Sequence, residues 1–343
     1  MHFGPGGFLR LAIGVIFLAA GATQAAQAEQ AEQGPAWRDR MRERIEQRQQ
    51  RPPRATPSDL QELAVSHQGM TRTVLVHVPA GVREGTTLPL VVALHGGGGF
   101  AAYMADDERY GLNRKADSAG FLVVYPNGYS RLPGGKFATW NAGNCCGDAR
   151  DRAIDDVGFL REVVATVQRR HPVDAQRIFA VGMSNGGMMS YRLACEAADV
   201  FRAVASVAGT EGVAACRPSK PVSVLHIHAR NDDHVLFDGG AGAGAFRDRS
   251  KVTEFVSVPE TIRRWVERAQ CRGTPERVLE VPGAYCEKYA ACADRQSVQL
   301  CVTSDGGHSW PGAAITRRGK ESPSQALDAN DRIWTFFSSL APR

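Results

Sequence analysis

The sequence predicts a single α/β domain, a mostly parallel β-sheet with helices on both faces, and three observations carry that expectation. Short apolar runs alternate with amphipathic stretches of helix length from about residue 57 to residue 343. The run at 88–94, Leu-Pro-Leu-Val-Val-Ala-Leu, has no polar face, as a strand covered on both sides requires. Residues 177–191, Arg-Ile-Phe-Ala-Val-Gly-Met-Ser-Asn-Gly-Gly-Met-Met-Ser-Tyr, pass from an apolar run through a glycine-flanked turn into an amphipathic segment.

Two stretches precede that domain. In 1–28, Arg10 gives a positive start, 11–20 an apolar core and Ala26-Gln27-Ala28 a small-residue cleavage site, the pattern of an export signal. The apolar core is well short of the ~20 residues that span a bilayer, so no stable membrane anchor is expected. Residues 29–56 are dominated by Gln, Glu, Arg and Pro and offer little to bury, which predicts a disordered linker. Its seven Arg and five acidic residues give it +2; setting that and Arg10 aside, the chain's formal +5 leaves only +2 on 57–343. So small a basic excess, with no recognisable motif, argues against a nucleic-acid partner.

Within the domain, 71–79 alternates Val74, Val76 and Val78 with polar residues and reads as a half-exposed strand ahead of the buried one at 88–94. Residues 108–119 read as a helix stopped by Gly120, and 121–125 as the next strand, closed by Pro126-Asn127-Gly128. Residues 129–154 hold Gly, Pro, Trp140 and adjacent cysteines without periodicity, a long loop of the kind that tends to be functional. Asp155-Asp156 cap a helix running to about Arg170, with Val157, Leu160, Val163 and Val167 facing the core. Strands at 178–181, 204–207, 222–227 and 297–302, with helices from Ser184, at 259–269 and at 326–340, complete the alternation. Eight cysteines in an exported chain predict disulfides rather than a metal site, because none has ligand spacing. Cys195 is expected to pair with Cys216, tying the helix after Ser184 to the segment entering the next strand. Cys145 and Cys146 are expected to take different partners, since a vicinal bridge is strained.

Gly182-Met183-Ser184-Asn185-Gly186 has the G-x-S-x-G form in which a serine is held exposed on a sharp turn between strand and helix. The pentapeptide alone is weak; its company strengthens it. A serine hydroxyl needs a base to take its proton, and His308 lies in a glycine-rich loop just after the last strand. Asp232, after the strand at 222–227, would orient that imidazole, with Asp233 and Asp238 as rivals. The order Ser, Asp, His is that of the α/β-hydrolase fold. The backbone N–H groups of Asn185 and of Gly97, in Leu94-His95-Gly96-Gly97-Gly98-Gly99, are the expected oxyanion hole. Trp140 and Trp310 are candidate pocket walls, with packing, the default role of a tryptophan, as the alternative and Trp310, two residues after His308, the better candidate. Asp155 and Asp156 read as helix caps rather than a catalytic pair. His226, His228 and His234 beside Asp232 raise a metal site, but no zincin-type motif accompanies them, and this chemistry calls for no metal and no cofactor.

Gly182-Met183-Ser184-Asn185-Gly186-Gly187, Asn141-Ala142-Gly143 with Cys145-Cys146-Gly147, Asp155-Asp156-Val157-Gly158-Phe159 and Gly307-His308-Ser309-Trp310-Pro311-Gly312 together resemble the secreted polyhydroxybutyrate depolymerase and feruloyl esterase family of α/β-hydrolases. The resemblance runs from roughly Thr71 to Trp310. It implies a serine carboxylesterase with Ser184 as nucleophile, Asp232 as acid and His308 as base, acting on small or oligomeric phenolic or hydroxy-acid esters. The family's acid sits in a stretch like His-Gly-Thr-x-Asp followed by Val-Pro-Tyr, where this chain has His228-Ala229-Arg230-Asn231-Asp232 and then Val235-Leu236-Phe237. Peptide cleavage on the same fold would need a charged pocket and a gating domain, for which no segment is long enough. A non-catalytic binding scaffold is disfavoured by the presence of all three triad residue types.

Overall fold

The computed structural model describes residues 60–83, 85–245, 253–289, 291–315 and 320–341. The expected export signal and linker lie outside them. Ten strands form one sheet: β1 (Leu60–His67), β2 (Met70–His77), β3 (Leu88–Leu94), β4 (Leu122–Pro126), β5 (Val173–Met183), β6 (Ala203–Val207), β7 (Ser223–Ala229), β8 (Glu276–Val281), β9 (Ala284–Tyr289) and β10 (Val298–Thr303). Seven α-helices accompany them among the described residues: α1 (Ala101–Met104), α2 (Leu112–Ala119), α3 (Gly147–Asp151), α4 (Asp156–Arg170), α5 (Asn185–Glu196), α6 (Val258–Arg268) and α7 (Ala329–Ser338). The spatial order is β1-β2-β4-β3-β5-β6-β7-β10-β9-β8. The centre, β4 to β10, pairs in parallel, while β1, β2, β9 and β8 extend it antiparallel at the two ends.

Strand alternation divides the core. Ile178 and Ala180 of β5 join one cluster with Phe159 and Leu160 of α4, Met188 and Leu193 of α5 and Trp265 of α6. Phe179, Val181 and Met183 point the other way, toward Met104 of α1, Leu112 of α2 and Phe336 and Phe337 of α7. A strand buried on both faces therefore shows no polar side in the sequence. This is the α/β-hydrolase fold, and it places the C-terminal ends of β3, β5, β7 and β10, which carry the site, along one edge of the sheet.

The differences from expectation have local causes. Helix α2 begins at Leu112 rather than 108. Its N-cap Gly111 is left-handed (φ 66°), and Asp107 accepts from the backbone N–H groups of Asn113 and Arg114. Strands β1, β8 and β9 were not anticipated. β1 has only two buried side chains, Leu63 and Val65, and β8 has none, so their apolar signal is slight. The structure bonds Cys195 to Cys216 as expected, and also Cys271 to Cys292 and Cys286 to Cys301. Cys145 and Cys146 correct the expectation: they are joined to each other across a cis peptide. With the other six cysteines paired among themselves, no further thiol is left for either. No helix among the described residues is long and apolar enough to cross a membrane.

Candidate active site

Ser184 sits between β5 and α5 at φ 55°, ψ −120°, a conformation non-glycine residues rarely hold unless their surroundings impose it. The surroundings are tight. A Cβ on Gly182 would lie 2.2 Å from the carbonyl carbon and oxygen of Gly186, and one on Gly186 would lie 2.2 Å from the Leu94 carbonyl oxygen. Both glycines are thus fixed by sterics, one packing turn on helix and the other packing helix on β3. The Ser184 N–H is anchored to the Val207 carbonyl at 2.8 Å.

Asn185 opens α5, so its backbone N–H has no partner inside the helix. Its side chain is fully engaged: Oδ1 accepts from the Trp140 N–H at 2.8 Å and Nδ2 donates to the Trp140 carbonyl at 3.0 Å. Across from it runs the glycine turn after β3. There Gly98 and Gly99 already donate their N–H groups, to Ala138 and Gly96. Gly97 faces Asn185, and a Cβ on it would stand 3.7 Å from the Asn185 Cβ. Asn185 and Gly97 therefore line the same cavity.

Trp140 corrects a sequence expectation. It is completely buried and does not line the cavity. Its indole N–H donates to the His95 carbonyl at 2.9 Å, and its ring lies 5.0 Å from the His95 ring. His95 in turn accepts the Gly128 N–H at Nε2 and so donates from Nδ1 to the Gly96 carbonyl, 2.8 Å away. Burial lowers its imidazole to about 4, which keeps that single tautomer neutral. Trp140, His95 and the Asn185 side chain thus brace the turn instead of meeting substrate. Trp310 does line the cavity, edge-on to Tyr110 with centroids 5.3 Å apart.

Asp232 follows β7 and is 3% exposed. Its Oδ1 accepts the backbone N–H groups of His234 (2.8 Å) and Val235 (3.0 Å), and its Oδ2 lies 2.8 Å from His308 Nδ1. Burial alone would raise this carboxyl. The His308 charge and the bonds from His228 and His308 outweigh it and hold the carboxyl well below the usual carboxylate range. The rivals are otherwise engaged: Asp233 takes His234 Nδ1 (2.5 Å) and Lys320 (3.0 Å), and exposed Asp238 faces Arg230. The His308 loop is tied to the Asp232 loop by two residues without a sequence signal. Asn231 accepts from the Gly307 N–H and donates to Glu321, which also accepts from the Gly306 N–H.

Ser184, Asn185, Gly97 and His308 line one cavity of about 1040 Å³, with Phe100, Tyr103 and Phe255 among its apolar walls. Asp232, His234 and His308 offer possible metal-donor atoms within 4.8 Å of one another. Their geometry suits a cation poorly. The two imidazoles are stacked nearly parallel (4.4 Å, 11°), so their in-plane lone pairs run side by side, and Asp232 is already bonded to His308 Nδ1. Of the acidic pair, Asp155 caps α4 by accepting the Gly158 N–H, as expected. Buried Asp156 pairs with Arg72 and accepts the Asn141 N–H, holding the long loop against β2.

A family model described as "Putative esterase" matches residues 66–311. "Putative esterase NocK" of Nocardia uniformis subsp. tsuyamanensis is 34% identical over 297 residues, covering 80% of each chain. "Feruloyl esterase B" of Piromyces equi is 30% identical over 243 residues, which are 69% of this chain and 42% of that protein. Among solved structures, an acetyl xylan esterase from Aspergillus awamori superposes with a TM-score of 0.55 at 14% identity, covering 81% of this chain and 98% of that one, a likeness of fold.

Proposed function

This chain belongs to the Esterase family, and from that premise we propose that it is an exported serine carboxylesterase acting on phenolic or short hydroxy-acid esters. The observation that carries the reading is the Asp232–His308 pair opening into the same cavity as the strained Ser184. In this reading Ser184 Oγ attacks the ester carbonyl while His308 Nε2 accepts its proton. Asp232 holds the Nδ1–H of His308 and stabilises the imidazolium. The N–H groups of Asn185 and Gly97 receive the developing oxyanion, and His308 then protonates the departing alkoxide. Water activated by the same histidine releases the acid and restores Ser184.

The apolar walls, including Trp310, Tyr103 and Phe100, favour an acyl group with a hydrophobic or aromatic body. The names of the relatives point in the same direction, with "Feruloyl esterase B" among them. Export rests on the residue pattern of 1–28 and is supported by the pairing of all eight cysteines. Turnover of methyl ferulate, p-nitrophenyl butyrate and a hydroxybutyrate trimer should rank the acyl preference. Ser184→Ala should lower kcat by ~10⁴-fold or more on whichever is hydrolysed, while the folded state is retained. Loss of folding aside, more than a few per cent residual activity would overturn Ser184 as the nucleophile.

A further inference from the structure

Behind the acid, three buried side chains form a hydrogen-bonded series that the reaction above does not use. Tyr191 lies on α5, the helix that begins beside the nucleophile, and its hydroxyl is 2.8 Å from His226 Nδ1. His226 Nε2 is 3.0 Å from His228 Nδ1. His228 Nε2 is 2.8 Å from the Val235 carbonyl and 3.3 Å from Asp232 Oδ2. His226 and His228 alternate along β7, so both project from one face, and their rings lie within 10° of parallel. All three side chains are fully buried or within 1% of it.

Donor accounting gives the series a direction. A carbonyl only accepts, so the proton at the far end must be on His228 Nε2. In that Nε2–H tautomer His228 Nδ1 carries a lone pair, which accepts from His226 Nε2–H. That leaves His226 Nδ1 as an acceptor for the Tyr191 hydroxyl. Every nitrogen then has a partner; reversing His226 would set its Nε2 lone pair against that of His228 Nδ1, and reversing His228 would set a lone pair against the Val235 carbonyl and N–H against N–H at His226. Burial supports the same states, lowering His226 so that it stays neutral and raising Tyr191 so that it keeps its proton.

We propose that Tyr191, His226 and His228 are a one-way relay that fixes His228 in its Nε2–H tautomer and so positions Asp232 for His308. His228 is the positioning residue; the Val235 carbonyl sets the polarity of the series, and the Tyr191 hydroxyl closes its other end by donating to His226 Nδ1. This rests on the reading of Asp232 as the catalytic acid. With the opposite tautomer, His228 would present a lone pair to both the Val235 carbonyl and Asp232 Oδ2, and the carboxylate would lose a donor on the oxygen it shares with His308.

The test is Tyr191→Phe, which keeps the ring and its packing but removes the donor. On p-nitrophenyl butyrate, kcat should fall roughly three- to tenfold with KM within about twofold, the size expected for one neutral hydrogen bond. His228→Leu should cost more than Tyr191→Phe, and His228→Gln, whose amide can still donate, should recover part of the difference. Imidazole ¹⁵N–¹H spectra of the substrate-free protein supply an independent readout. They should show protonated Nε2 and unprotonated Nδ1 for both His226 and His228, with the His226 Nδ1 resonance shifted in Tyr191→Phe, where it loses its donor. An unprotonated His228 Nε2 in the wild type, or an unchanged kcat and spectrum in Tyr191→Phe, would overturn the relay. A wild-type protein without Ser184-dependent esterase activity would instead overturn the functional reading, while the spectra would still decide the tautomers.

Discussion

Asp232 and Asp233 are neighbours in the chain, and each holds an imidazole: Asp232 that of His308, Asp233 that of His234. The two rings are stacked face to face. Yet the environments diverge. Asp232 is buried and surrounded by donors, two backbone N–H groups and two histidines, whereas Asp233 is half exposed and shares itself with the surface amine of Lys320. A carboxylate beside a histidine therefore does not single out the acid we propose. Burial with its lone pairs satisfied does, because it holds the imidazole in one orientation.

The sharpest way to break this contrast is to neutralise each carboxylate in turn. Asp232→Asn should lower kcat by ~10³–10⁴-fold, as loss of the acid does when geometry survives but the tautomer is wrong. Asp233→Asn should cost less than about tenfold, since it reaches His308 only through His234. Comparable losses in the two variants, measured as kcat on one ester, would mean that the site runs on both dyads and that the difference in burial decides nothing.

A second contrast lies in acid stability. The Asp232 carboxyl is held well below its unfolded value of ~3.9, so its stabilisation is complete above that pH and is lost as the pH falls below it. Asp232→Asn lacks this contribution. The gap between its urea midpoint and that of the wild type should be constant at neutral pH and should narrow below about pH 4. A gap that does not change through that range would show that the carboxylate is not specially held in the folded state.

The proposed triad of Ser184, Asp232 and His308 is legible in the sequence because such a constellation leaves marks of type, order and turn chemistry, and Gly182 and Gly186 are there for sterics that a reader can anticipate. The sequence named Asp232 but kept Asp233 as a rival, because burial and donor count are properties of packing. Trp140 was misread for the same reason. A tryptophan in a loop near the site looks like a pocket wall, and only the contacts to His95 and Asn185 show it to be a brace. The hydrogen-bonded partners of His226 and His228 were not legible, because residue type shows a donor atom but not what already occupies it. Strands β1 and β8 were lost because an edge strand with few buried side chains carries little pattern.

The smallest expected effect concerns His234, whose ring covers the face of His308. Burial, then the charge of His308, lowers its imidazole, so at pH 7 it is neutral and serves as a flat, uncharged neighbour. His234→Phe keeps a flat ring and should change kcat at pH 7 by less than about threefold. Its signature is in stability instead. A histidine whose folded value lies below its unfolded ~6.5 stabilises the protein above that pH and loses the contribution as pH falls through the interval between the two. Wild-type protein should therefore lose more urea resistance than His234→Phe between pH 7 and pH 5. His95 and His226 titrate in the same direction but are common to both proteins, so the difference isolates His234. This window lies above the one in which Asp232 acts, and so the two dyads should separate along a single pH axis. If the two proteins lose resistance in parallel, the Asp233 bond offsets what burial, His308 and Lys320 do to His234, and its stack on His308 is packing alone.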